Sequence, residues 1–299
     1  HWQILEKKSC NKTIYSSYHF LSNWAENQKS NIEKLVIICI YERSEIAGIA
    51  PLMITNEKAL KLISYKKLSF LGKGDFFNFL IENRPNTKPI ISKIFDTINK
   101  LESWDKMDLT HLSKGSNLVN FLLRSSAYNE ATVFFGENPI VYRKNYIDFL
   151  SYKKFHIRKN VNNYYNKIRK NFDVKVKLYW GNEDEILIKI SKIHIERNSD
   201  GKNRKSLFEH SETMSFLQSI YEQKGMTLTF CLENGDDIMS YVTCFIEDDV
   251  IHVWNNSYNL KYEKFSPGDI VYMEAMKYFF SEESDFNTLD FGGGRYPWK

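Results

Sequence analysis

The chain has 299 residues, is 42% hydrophobic and 26% charged, and carries a formal net charge of +4. That balance excludes a disordered protein, and the length suffices for about two domains with sizeable cores. The longest apolar runs, such as 35–40, fall far short of the roughly 20 residues of a membrane-spanning helix. No signal peptide is visible, so a cytoplasmic setting is expected. Of the four cysteines, Cys39, Cys231 and Cys244 lie in alternating apolar stretches and Cys10 outside them. A thiol so placed usually packs as a small hydrophobe, and no C-x-x-C spacing occurs, so neither a disulfide nor a zinc site is expected.

In chain order, 35–42 and 46–54 read as a strand hairpin turned by Arg43-Ser44-Glu45. Strand-like segments follow at 67–71 and 76–81, a helix at 88–102, a strand at 106–112, and a helix at 116–127 with Ser116 as its N-cap. The character changes after 133–142. Residues 146–172 form a long, basic, helical stretch, 174–179 alternates as a strand, and 183–197 is an amphipathic helix. A helix at 211–224 closes on Gly225. Three strands, 227–233, 238–247 and 250–258, are joined by acidic hairpin turns, and a helix opens after Ser266-Pro267-Gly268. A last strand, 288–291, runs into Gly292-Gly293-Gly294.

The halves echo one another. LVIICIYERSEIAGIAPLMI and LTFCLENGDDIMSYVTCFI are both strand–acidic turn–strand, and each is followed later by a helix and a similar strand, WDKMDL and FNTLDF. An internal duplication is therefore expected, with domains at 1–145 and 146–299. Between Lys153 and Lys177 nine basic residues face a single acid, Asp173. Such a run is either a solvated helix face or a surface for an anionic partner such as cofactor phosphates, a sugar-nucleotide or an RNA backbone.

Three constellations could carry chemistry. Ser266-Pro267-Gly268 opens a helix whose first N–H groups and dipole favour an anion, with proline suited to the first turn and glycine admitting close approach. His194-x-x-Arg197 joins a titratable ring to a fixed cation at a helix end, with Gly201, Ser206 and Phe208 following. Asp290 stands at a strand end beside flexible backbone. Each also has a plain structural explanation as a capped turn, a cation at a helix C-terminus, or a strand end. The glycine run is neither G-x-G-x-x-G after a first strand nor a P-loop, which rules out a dinucleotide or P-loop reading, and the missing G-x-S-x-G and H-E-x-x-H patterns count against hydrolases and zincins of those types.

In order and spacing these pieces, together with Gly48-Ile49-Ala50-Pro51-Leu52, Phe70-Leu71-Gly72, Asp75 and the closing Leu289-Asp290-Phe291, resemble the GNAT-like acyltransferase family of the bacterial cellulose and exopolysaccharide biosynthesis (CelD/BcsL) type. The resemblance covers most of the chain. It implies an α/β (α+β) fold of tandem GNAT-like domains, each a mixed, mostly antiparallel sheet flanked by helices, the first structural and the second catalytic. It also implies transfer of an acyl group from acetyl-CoA or another acyl-CoA to an amine of an amino sugar, sugar-nucleotide or other envelope precursor. Ser266, Pro267, Gly268 and Asp269 match the positions that hold the cofactor. His194 is expected as the base and Asp290 as an orienting or accepting group, with Arg197, Ser206, Phe208 and Tyr296 binding substrate and no metal. One departure is the end of the chain, where Tyr296-Pro297-Trp298-Lys299 stands in place of the Tyr-Lys-aromatic run of similar proteins. Fem-type ligases share the doubled architecture and take an aminoacyl group from tRNA, a donor the basic stretch would also suit. A catalytically silent GNAT-like binding module is the third reading.

Overall fold

The computed structural model describes residues 1–9, 11–60, 62–156, 161–199 and 205–294. They form two compact units, His1–Gly136 and Glu137–Lys299. The division falls ahead of the expected 145/146 because Ile140–Tyr142 pairs antiparallel with a strand near the end of the chain.

The first unit begins with two helices absent from the sequence reading, α1 (Trp2–Lys8) and α2 (Tyr18–Asn27). Ser17 caps α2 by accepting the Phe20 N–H. The hairpin is β1 (Lys34–Glu42) and β2 (Glu45–Ala59), followed by β3 (Ile63–Phe70) and the two-residue β4 (Leu80–Ile81). Then come α3 (Lys88–Asn99), β5 (Lys106–Asp108) and α4 (Asn117–Arg124), the last capped by Ser116 as expected. Sheet order is β1-β2-β3-β5, with β4 also on β2, and β3 and β5 run parallel. Cys39 is exposed on β1, contrary to expectation, because the strand buries only alternate residues such as Val36, Ile38 and Ile40. Cys231 and Cys244 are buried.

The β1–β2 turn holds both Arg43 (φ 50°) and Ser44 (φ 68°) in the left-handed region. A two-residue turn of that kind suits strand twist but favours Asn-Gly. Replacing the pair as Arg43→Asn with Ser44→Gly should raise unfolding stability by about 1 kcal/mol, read as a higher urea midpoint at unchanged slope. An unchanged or lowered midpoint would refute it.

The second unit comprises β6 (Ile140–Tyr142), α5 (Phe149–His156), α6 (Val161–Arg169), β7 (Val174–Trp180), α7 (Ile186–Ser199) and α8 (Ser211–Tyr221). It continues with β8 (Thr227–Asn234), β9 (Asp237–Glu247), β10 (Val250–Tyr258), α9 (Pro267–Phe279) and β11 (Thr288–Asp290). The sheet order is β6-β11-β10-β9-β8-β7. β8 and β9 are buried along nearly their whole length, so both faces are covered. One face packs Leu228, Phe230, Val242, Cys244 and Ile251 with Ile168 of α6 and Ile270, Val271 and Phe279 of α9. On the other, Tyr221 of α8 closes a buried hydroxyl chain with Thr243 and Thr229, which satisfies polar groups that burial would otherwise penalise.

The two units repeat one topology. In each, three antiparallel strands (β1-β2-β3; β8-β9-β10) are followed by a helix (α3; α9) and a strand parallel to the third (β5; β11). The fold is therefore the expected mixed α/β arrangement, two mixed sheets flanked by helices. The helices differ where they begin. α3 carries Pro89 and then Ile90, fully buried, whereas α9 carries Pro267 and then Gly268.

Candidate active site

The second unit gathers its chemistry along β10. β11 pairs with β10 only over Val250–His252, while β10 continues to Tyr258 against β9. Among the described residues, the side of β10 facing away from β9 is thus without a strand over 253–258. A register shift between Val253 and Asn255 bulges the strand at Trp254, which re-aims side chains and backbone N–H groups locally. The chain then turns through a short helix, Leu260–Phe265, to α9. Ser266, the N-cap residue, takes φ 50° and ψ 52°, a left-handed conformation that costs a non-glycine residue about 1 kcal/mol. Pro267 follows, buried, its carbonyl accepting the Ser240 hydroxyl at 2.8 Å.

α7 lies against β10. Its His194 and Arg197 sit one turn apart on one face. The Arg197 guanidinium stacks over the Tyr258 ring at 3.9 Å from the centroid, a cation–π contact. Tyr258 in turn is the neighbour that a Cβ on Gly268 would meet, at 3.9 Å. The tertiary structure therefore unites two motifs far apart in sequence, His194-x-x-Arg197 and Ser266-Pro267-Gly268. Phe208 stands edge-on to His194 at 5.1 Å and to Trp254 at 6.2 Å, and Trp254 packs on Phe245 at 5.1 Å. Ser206 starts a capping box. Its Oγ accepts the Phe208 N–H at 3.2 Å, while Glu209 accepts the Ser206 N–H at 2.5 Å. The same Oγ lies 2.8 Å from His194 Nδ1, and Asn198 Nδ2 lies 2.9 Å from it. Burial, then the neighbouring Arg197 charge, hold the His194 pKa below its ordinary value.

Asp290 is enclosed by polar partners. It is buried at the end of the β10–β11 pair, with Oδ2 3.1 Å from His252 Nδ1 and Oδ1 accepting the Gly292 N–H at 3.0 Å. Asn138 donates to it at 3.4 Å, and Glu247 approaches His252 at 3.9 Å. A carboxylate so engaged fixes the turn into the glycine run. The His194, Arg197, Ser206, Phe208, Ser266, Pro267, Gly268 and Asp269 positions are brought to one region. Tyr296 lies outside the described residues, as do Gly201, Arg158 and Lys159.

Sequence reading missed Trp254, Tyr258 and His252, and it took Asn198 into the His194–Arg197 element without giving it a role. The available signal was Asn255-Asn256 in the middle of a strand, two poor strand formers. Asn255 accepts the Tyr241 hydroxyl at 2.7 Å inside the unit. The basic stretch is partly consumed internally. Lys153 donates to Asn162, Arg169 stacks over Tyr165 at 4.3 Å, and Lys177 pairs with buried Glu233 at 3.0 Å. Lys167 and Lys264 lie over Phe265 at 5.4 and 5.1 Å, beside the turn into α9. No helix among the described residues is long and apolar enough to cross a membrane, and none of their His, Cys, Asp and Glu side chains cluster as a metal-ion site.

A deformed strand flanked by a parallel neighbour, a helix entering behind a Pro-Gly turn, and a polar-aromatic face opposite make up the candidate site. The profile of the Acetyltransferase (GNAT) domain family matches residues 157–299, a match that supports an acyltransferase. The crystal structure of FemX is similar at TM-score 0.62 and 13% identity, over 98% of this chain and 86% of that one. A conserved protein of unknown function from Bacteroides thetaiotaomicron gives 0.57 and 13%, over 98% and 87%. The C-terminal domain of a protein described as a lysylphosphatidylglycerol synthetase from Agrobacterium fabrum gives 0.54 and 7%, over 92% and 78%. At such identities these structures speak to the fold. No curated protein sequence matches the chain.

Proposed function

We infer that the second unit transfers an acyl group from acyl-CoA, acetyl-CoA in the first instance, to an amine of an amino sugar or other envelope precursor, and that the first unit is structural. The observation that carries this reading is the edge of β10 over 253–258, open among the described residues and leading directly to the N-terminus of α9. An extended pantetheine arm can hydrogen-bond to such an edge as an added strand would. The first N–H groups of α9, at Gly268 and Asp269, can then receive a phosphate. Asp269 serves through its backbone only, since its carboxylate has the sign of the phosphate. Arg197 supplies a fixed cation within reach of the same turn.

A second reading, aminoacyl-tRNA as donor, is favoured by one specific observation. Two similar structures are FemX and a protein described as a lysylphosphatidylglycerol synthetase. The polysaccharide-type acceptor belongs to the resemblance seen in the sequence and enters here as the first class to assay.

Calorimetric titration with acetyl-CoA, and in parallel with aminoacyl-tRNA, separates the donors. Saturable acetyl-CoA binding is expected. Binding of aminoacyl-tRNA alone, weakening steeply with salt, would replace this reading with the second. Binding of neither would leave the silent module.

A further inference from the structure

Asn198 follows His194 by one turn of α7. Its amide nitrogen lies 2.8 Å from the His194 carbonyl oxygen as well as 2.9 Å from the ring Nδ1. The amide atom beside a carbonyl oxygen at that distance must be the NH2 end, because the opposite orientation sets two acceptors in contact. One of its hydrogens serves the carbonyl, and the other points at Nδ1. Nδ1 therefore accepts, and the neutral ring carries its proton on Nε2. The Ser206 hydroxyl agrees. Its oxygen already accepts the Phe208 N–H, and its hydrogen is free to turn towards the same Nδ1. A second proton, on Nδ1, would face the Asn198 N–H, and burial beside Arg197 opposes it as well.

A general base needs a free lone pair on the nitrogen that faces the substrate. Among the described residues only Nδ1 of His194 has a hydrogen-bond partner, so the other nitrogen, Nε2, is the one bearing hydrogen. We propose that His194 acts as a neutral hydrogen-bond donor, through Nε2, to the carbonyl oxygen of the acyl group, and that Asn198 is the positioning residue that fixes this tautomer. The proposal replaces the base assignment and rests on the acyl-transfer reading. Its place fits, since Phe208 bridges the His194 ring to Trp254 at the β10 bulge. The substrate amine attacks the carbonyl carbon, forming the C–N bond, and the C=O electron pair moves onto the oxygen that His194 holds. Collapse re-forms C=O and breaks C–S, and the departing thiolate takes the proton that the amine gives up. A neutral imidazole can polarise a carbonyl in this way.

Two measurements on the full chain test it. Multiple-bond 15N–1H spectra of the free protein at neutral pH should show the His194 proton on Nε2, and Asn198→Asp should move it to Nδ1. A wild-type ring protonated on Nδ1 overturns the proposal whatever the turnover. Thiol release from acetyl-CoA with glucosamine is the second. His194→Ala should slow it about 100-fold, whereas His194→Gln, whose amide donates from the Nε2 position and cannot act as a base, should stay within about tenfold of wild type. A His194→Gln rate as low as that of His194→Ala overturns the donor role. Absence of wild-type thiol release with the proton on Nε2 counts against the acyl-CoA reading and leaves the tautomer standing.

Discussion

Gly268→Leu should weaken acetyl-CoA binding at least 100-fold, about 3 kcal/mol, while leaving the thermal unfolding midpoint in place. The reason is that nothing in the fold requires glycine there. Its φ is not left-handed, and an added Cβ would make ordinary contact with the Tyr258 ring at 3.9 Å. Leucine is also the better helix former. A side chain would instead stand over the Gly268 and Asp269 N–H groups at the head of α9, where the phosphates are expected. Gly181 is the contrast. It sits at φ +61° with a built Cβ 2.6 Å from the Tyr221 carbonyl oxygen, so its lack of a side chain is needed by the backbone itself. Calorimetry and a melting curve on Gly268→Leu decide the matter. Full-strength binding by a folded variant would remove α9 from the donor site.

Asp290→Ala should cost about 3 kcal/mol of folding stability, measured by urea unfolding. The substitution strips an acceptor from the buried His252 ring and another from the half-buried Gly292 N–H, and opens space inside the unit where the carboxylate stood. Breaking a buried pair from one side is among the few point changes with so large an effect. Asp290→Asn keeps an oxygen for Gly292 and should lose less. A reacting carboxylate would behave in the opposite way, with Asp290→Ala stable and turnover abolished. That result would make Asp290 part of the chemistry.

Much of the fold was legible before any coordinates. Alternation of apolar residues marked β1, β2, β8, β9 and β10, and Ser116 and Ser266-Pro267-Gly268 marked helix starts, because these signals are local and come from backbone geometry and solvation. The helices α1 and α2 were missed. Periodicity within so short a segment is weak, and what holds them is tertiary burial, as of Leu5, Phe20 and Leu21. The strand reading at 76–81 shrank to Leu80–Ile81, since an apolar run without a long partner strand need not be extended.

The sequence by itself determined the doubled strand–helix–strand order and the residue types available for chemistry, because both follow from patterns a few residues long. Only the tertiary structure decided which of those residues meet. It set Arg197 beside Tyr258 and the head of α9, paired Asp290 with His252 across 38 positions, and turned Asn198 and Ser206 onto one nitrogen of His194. Proton placement on a ring depends on which donors approach each nitrogen within about 3 Å. No spacing along the chain encodes that.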